Sequence, residues 1–557
     1  MGHSDPTTLT RSYWPANGSP PVLDITVGDL LRAAAAGAPE TIALVDGCDD
    51  PAGRRRWTYA QLVAESEGVA RGLLRHFRPG ERLLIAAPNS AEWVLLQMGA
   101  ALAGLVLATA NPAYRERELD YVLRRSHAVG VVTADEYRGH DLRDTICRLT
   151  ASLPHVRRVV SLSGVAELRS EALTGTPLPE VRPDDPAQIQ YTGGTTGFPK
   201  GVLLHHRGIA NTPNFVLTAA GMRTGDTWIN VMPLFHVGGC VTTGLGIVGR
   251  RGTHVVVPEF QPALVLELIE ALGGNMSLLV PTMLVRVLEH PEIATRDLSS
   301  VHTIVSGAAP VPAELIRRTK RAFSCEFTNI FGQTEVSGVV TTTRVEDTPE
   351  DQAETIGRAI PNVELKIADP TTAEILPVGT EGEICARGHQ MMIGYLDDPD
   401  ATAATLRADG WLHTGDLGSM DERGYLRITG RLKDTIIRGG ENISPREVEE
   451  VLYTHPAVAE AIVLGVPDPE WGEEVAAVIR PLDRSSPPSA SELREHCRSQ
   501  VARFKAPALW AFVEAYPTTA AGKIQKFTLL DEIAAGRLVL ERVRSGPREP
   551  AAAEPMA

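Results

Sequence analysis

The run QYTGGTTGFPKGV, residues 190–202, concentrates four glycines, three threonines and one lysine between two apolar stretches. Gly193, Gly194 and Gly197 let backbone amides approach a ligand closely, Thr192, Thr195 and Thr196 bring hydroxyls, and Lys200 brings a mobile cation. Those groups suit a polyphosphate. A Walker A loop is excluded by spacing, because its lysine directly follows a glycine and precedes Ser or Thr. Lys200 instead stands three residues after Gly197, beside Pro199 and before Gly201. Taken alone, the loop leaves a Gly/Thr surface linker open beside the phosphate-binding reading. GLGIVG at 244–249 matches a dinucleotide fingerprint in letters only, since no clear strand precedes it.

Composition narrows the field. A net charge of −15 provides no broad cationic surface, which argues against a nucleic-acid partner. Six cysteines stand singly without a CxxC pair, a usage that fits a reducing cytosol, so a cytoplasmic location is expected. The adjacent His205 and His206 have no further ligand cluster near them in sequence and do not read as a zinc site. The N-terminal segment lacks the cationic and apolar parts of a signal peptide. Trp93 to Ala110 approaches the length of a short membrane span, but it carries Gln97 and follows Asn89-Ser90 with Glu92, a helix start. It reads as a buried helix running into a buried strand, with no membrane span.

The elements that must position these residues alternate. RLLIAAPN at 82, VGVVTAD at 129, THVVVPEF at 253, SLLVPTM at 277 and VHTIVSG at 301 read as buried strands. Helical stretches such as AEWVLLQMGA and PAELIRRTKRAF separate them, which predicts α/β architecture with largely parallel sheets. From about residue 380, GEICARG, GWLHTGDLG and DERGYLRITG are short segments joined by glycine turns, predicting a smaller β-rich, barrel-like piece. After Gly430 a compact α+β tail follows, with Ser444 as a helix N-cap, Pro445 at the first helical position and Glu447 completing a capping box. The expected division is an N-terminal extension (1–24), a large domain (25–430), a small mobile C-terminal domain (431–540) and a disordered tail (541–557).

Further motifs follow in a fixed order: MPLFHVGG (232–239), VSGAAP (305–310), FGQTE (331–335), GWLHTGDLG (410–418), GRLKDTIIRGGENISPREVE (430–449) and PTTAAGKIQK (517–526). Together with YTGGTTGFPKG, the set resembles the adenylate-forming superfamily of acyl-CoA and aryl-CoA synthetases, adenylation domains and luciferases. The resemblance covers about residues 25–535 and is nearest to medium-chain fatty acyl-CoA synthetases. It implies two half-reactions: a carboxylic acid attacks ATP to give an acyl-adenylate and pyrophosphate, then coenzyme A takes the acyl group and AMP leaves.

The resemblance also implies roles. The Gly/Thr loop and Lys200 would hold phosphates, Glu335 beside Thr334 would ligate Mg²⁺, and Gly307, Ala308, Ala309, Asn329, Phe331 and Gly332 would line the adenine side. Asp416 would accept from the ribose hydroxyls with Arg431 behind it, and Lys523 would offset charge at the reacting carboxylate and α-phosphate. His236 would gate the acyl pocket, Lys433 would be the hinge, and Arg438, Gly439 and Gly440 would line a pantetheine channel. Two positions depart from the pattern: Gly193 stands where Ser is frequent, and Phe331 replaces the usual Tyr. Small apolar residues around Val237–Cys240 and Gly307–Ala309 leave room for an uncharged fatty or aryl acid. Relatives with this nucleotide machinery also transfer to carrier-protein pantetheine or to amines, or activate nitrite, and those acceptors stay open beside coenzyme A.

Overall fold

The computed structural model describes residues 8–170, 177–192, 199–309, 311–519 and 522–543. The chain divides into two compact units. The larger holds 1–414, 418–428 and the short stretch Ala520–Lys523, and the smaller holds 415–417, 429–519 and 524–557.

Two mainly parallel sheets form the frame of the larger unit. A nine-stranded sheet contains six parallel neighbours, including Thr227–Asn230, Thr253–Val256, Met276–Leu278, Thr303–Gly307 and Glu326–Phe331. A seven-stranded sheet places Arg82–Ala86 between Val106–Ala110 and Gly130–Thr133, all parallel. Their strands are apolar on both faces, as expected where helices cover each side. The helix Ala91–Leu102 crosses from Arg82–Ala86 to Val106–Ala110. Every residue in it except Glu92 is buried, and Ser90 caps it by accepting from the Trp93 amide at 3.2 Å. At 12 residues it is far below the roughly 20 a bilayer requires. Among the described residues no helix is long and apolar enough to cross a membrane.

The segment from 380 joins a five-stranded sheet containing Val363–Ala368, Gly382–Gly388, Leu412–Met420 and Leu426–Arg431. Its edge strand is Tyr13–Trp14, paired with Lys366 and Leu365. Part of the expected N-terminal extension therefore belongs to the main sheet. A two-residue strand has no periodicity by which a sequence could announce it. GLGIVG lies within the consecutive helices Gly238–Leu245 and Gly246–Arg250, so it is not a strand-to-helix nucleotide loop.

In the smaller unit, Val458–Asp468 and Gly472–Pro481 form a long antiparallel hairpin, and the helices Pro445–Tyr453 and Ala490–Arg498 pack in the same apolar core. Glu541–Arg542 pairs with Leu509–Phe512, so ordered chain continues past the expected start of the tail. The predicted capping box is corrected. Ser444 is the N-cap and Pro445 the first helical residue, but Ser444 Oγ donates to the Thr429 carbonyl and makes no cap bond, while Glu447 pairs with Lys505 at 2.7 Å. A strong tertiary acceptor and a lysine took both side chains away from the helix end.

Candidate active site

The strand Pro186–Thr192 turns back into Lys200–His205, with Thr192 directly opposite Lys200. Gly193, Gly194, Thr195, Thr196 and Gly197 lie outside the described residues; the strands on either side hold the loop's two ends side by side. Gly394–Tyr395 adds as the next antiparallel strand, Tyr395 opposite Val202. That register puts the Lys200 ammonium 4.7 Å from the centroid of the Tyr395 ring.

The Tyr395 hydroxyl donates to Glu335 Oε1 at 2.7 Å. Glu335 is buried in the single 3₁₀ turn Thr334–Val336, just beyond the strand Glu326–Phe331. A buried carboxylate requires such partners. Burial, followed by the Glu335 charge, pushes the Tyr395 phenol above its ordinary range, so it remains a donor. With one oxygen engaged, the second offers a hard ligand of the kind Mg²⁺ takes together with phosphate oxygens. The sequence motifs did not single out Tyr395; only its place in the third strand reveals it.

Gly307 and Ile330 are paired at the ends of two parallel strands, and beyond such carboxyl ends open α/β sheets bind ligands. A Cβ at Gly307 would lie 2.3 Å from the Ile330 carbonyl oxygen, and one at Gly332 would lie 2.2 Å from that of Gly338. Both positions therefore demand glycine for close backbone approach. Ala308 follows in the left-handed region at φ 65°, a strained conformation of the kind that clusters at ligand sites. Ala309 is next to it, Phe331 is buried, and the Asn329 amide donates to Thr355 at 3.2 Å, a structural tie. Thr334 is buried beside Glu335.

His236 opens onto Gly238–Leu245, a helix of π type, a form frequent at functional sites. Its Nδ1 accepts from the Gly238 amide at 3.0 Å, which places the proton of the neutral ring on Nε2. Burial, helped by the Lys523 charge, depresses this imidazole to about 3. Lys523 is in the stretch that groups with the larger unit, where the preceding Gly522 carbonyl accepts from Thr282 Oγ1 at 2.8 Å. Behind the helix, Gln190 donates to Gln188 at 2.9 Å and to Cys240 Sγ at 3.1 Å, a buried polar pairing that sequence reading missed. His205 and His206 serve as acceptors for the amides of Gly208 and Val27.

In the smaller unit, Arg431 Nε donates to Asp416 Oδ1 at 2.7 Å; the acid is buried and the arginine half-exposed. Lys433 is exposed in the turn after Arg431. Gly439 and Gly440 have φ of 60° and 90° between Ile436–Arg438 and Glu441–Ile443, which fits the two-residue hairpin turn that glycine favours. Arg438 is held by Glu474 at 2.6 Å and stacks 4.6 Å from the Trp471 ring. The site residues thus fall into two groups, one in each unit.

Two compact units, parallel α/β sheets and a buried acid beside the strands that flank the Gly/Thr segment fit the class of nucleotide-dependent activating enzymes. The chain belongs to the AMP-binding enzyme family: that model matches residues 31–396, and the AMP-binding enzyme C-terminal domain matches 447–523. YngI of Bacillus subtilis (strain 168), named as an acyl-CoA synthetase, is 39% identical over 536 residues, covering 91% of this chain and 97% of the relative. The mitochondrial medium-chain acyl-CoA ligase ACSF2 of Danio rerio is 36% identical, covering 94% and 90%. Among solved structures, the anthranilate CoA ligase AuaEII in complex with anthranoyl-AMP superposes with a TM-score of 0.84 at 26% identity, covering 92% and 98%. ATP-bound MatB from Rhodopseudomonas palustris superposes with 0.82 at 29% identity, covering 91% and 99%.

Proposed function

We propose that the chain is an ATP-dependent, AMP-forming carboxylic acid:CoA ligase acting on a fatty acid, medium-chain acids first, with aryl acids the next class. The reading rests above all on the linked set Lys200, Tyr395 and Glu335 beside the Gly/Thr hairpin. The family and the named acid:CoA ligases among its relatives support the same chemistry.

The first step forms a bond between a carboxylate oxygen and the α-phosphorus and breaks the bond to the pyrophosphate oxygen. Positioning and charge neutralisation are what the protein supplies. Lys200 and the loop hold the departing phosphates, and Lys523 offsets negative charge where carboxylate and α-phosphate meet. Glu335, kept in place by Tyr395, would hold Mg²⁺, which supplies further neutralisation on the phosphates. Asp416 accepts from the ribose hydroxyls while Arg431 fixes its carboxylate. His236, held neutral, bounds the acyl side without adding charge. In the second step the thiol sulfur bonds to the carbonyl carbon, the thiol proton is lost and AMP leaves. Arg438, Gly439 and Gly440 would line the thiol's approach, with Lys433 as the hinge residue. An acyl carrier protein is an alternative thiol donor, and the location is cytoplasmic.

The deciding experiment is ATP–pyrophosphate exchange across acids from acetate to palmitate, aryl acids and nitrite, followed by AMP release with and without coenzyme A. Exchange is expected to peak with medium-chain acids and turnover to require coenzyme A. No exchange with any acid would sink the ligase reading. Exchange without CoA-dependent turnover would move the acceptor to a carrier protein or an amine.

A further inference from the structure

Away from the nucleotide residues, two inner strands of the five-stranded sheet carry a cluster that the reaction does not use. Glu383 and Cys385 are two apart on the strand Gly382–Gly388, so both side chains leave the same face. Leu412–Met420 is the neighbouring strand, and its second residue, His413, faces them. His413 Nδ1 is 2.6 Å from Glu383 Oε2 and 3.5 Å from Cys385 Sγ, and the three donor atoms all lie within 4.8 Å of one another. The carboxylate and imidazole side chains are 7% and 9% exposed, and Cys385 is fully buried.

We propose that Glu383, Cys385 and His413 form a cation site for a thiophilic divalent ion of the Zn²⁺ class, distinct from the Mg²⁺ position at Glu335. With bonds of about 2.0–2.3 Å, neighbouring ligand atoms of a tetrahedral zinc stand roughly 3.3–3.8 Å apart. The thiol–imidazole edge already has that length. The carboxylate–imidazole edge has the length of a hydrogen bond and opens by less than about 1 Å when an ion replaces the proton between them. One sulfur, one nitrogen and one oxygen select zinc over magnesium or calcium, whose ligands are all oxygen. Thiolate and carboxylate together cancel the ion's two charges. Lys366, opposite Cys385 in the register of the next strand, has its ammonium 4.5 Å from the Trp411 ring centroid, a cation–π partner outside the triad. Three protein ligands leave a fourth position for water, as in catalytic rather than structural zinc sites.

The test uses the full-length protein stripped by a chelator and titrated with Co²⁺, then with Zn²⁺. One equivalent of Co²⁺ should produce tetrahedral d–d absorption and a thiolate-to-cobalt charge-transfer band, both removed by Zn²⁺. Cys385→Ser should abolish the charge-transfer band, and His413→Gln should weaken Zn²⁺ binding at least about tenfold. Cys147→Ser, at an exposed cysteine, should change neither. No charge-transfer band in the unmodified chain, or its survival in Cys385→Ser, overturns the proposal. Should Cys385→Ser fail to fold, His413→Gln decides, and unchanged Zn²⁺ affinity there is equally fatal.

Discussion

The Tyr395 hydroxyl donates to Glu335 at 2.7 Å while the Lys200 ammonium sits 4.7 Å from the centroid of the same ring. One tyrosine thus couples the lysine of the phosphate hairpin to the proposed metal-holding acid. Tyr395→Phe keeps the ring beneath Lys200 and removes only the donor. A hydrogen bond to a charged group contributes about 1.5–3 kcal/mol, so adenylation should fall roughly 10- to 100-fold. The Mg²⁺ concentration needed for half-maximal exchange should rise, and Tyr395→Leu should lose more. Pyrophosphate exchange over a Mg²⁺ titration checks this. A Phe variant indistinguishable from the unmodified chain would remove the positioning role.

Lys523 makes a sharper demand, because its proposed work ends with the first half-reaction. Lys523→Ala should reduce adenylation by about 10²–10³-fold or more, the scale of losing one charge-stabilising donor. Thioesterification of a supplied acyl-adenylate should survive. Single-turnover assays of each half-reaction separate the two. Equal loss in both would show that the lysine supports the fold or the binding of AMP rather than the first transfer.

The Asp416–Arg431 pair predicts a split between affinity and stability. Asp416→Asn keeps the shape but weakens acceptance from the ribose, so KM for ATP should rise about tenfold with a smaller change in kcat. Arg431→Met leaves the buried acid without its 2.7 Å donor. The cost should stay below the roughly 3–5 kcal/mol of a fully buried pair, since Arg431 is half-exposed and solvent screens it. Denaturant melts of the full chain beside ATP kinetics measure both effects. A change in stability with no change in KM would make the pair structural only.

The parallel strands and Ala91–Leu102 were legible because buried β runs and capped helices leave local patterns, and the motif residues were legible because each motif is contiguous. Tyr395 was hidden because its partner Glu335 is 60 residues away and its strand is two residues long. Tyr13–Trp14 was hidden for the same reason, with its partners more than 350 positions distant. The capping box failed differently: its letters were right, but Thr429 and Lys505 competed for the side chains. Local chemistry can be read from the sequence, whereas a choice between local and distant partners depends on the fold.

Four histidines predict how the protein responds to acid. Burial holds His206 and His389 at about 4, and His236 and His254 at about 3, with Asn230 donating to His254 at 2.8 Å. In the unfolded chain each would titrate near 6.5. Below that value the unfolded state binds protons that the folded state refuses, so stability falls as pH drops from about 6.5 towards 4. Each ring contributes at most about 1.4 kcal/mol per pH unit. Glu81 and Glu364, held below the usual carboxylate range by Arg157 and Arg387, give up their stabilisation only at lower pH, so the upper window belongs to the imidazoles. Tm at constant ionic strength should be nearly flat between about pH 7 and 8 and decline with growing slope below 6.5. His254→Gln, which replaces a titrating ring by a neutral acceptor within reach of Asn230, should flatten that decline even if it lowers Tm at neutral pH. An unchanged slope in that variant would mean that His254 is protonated in the folded protein.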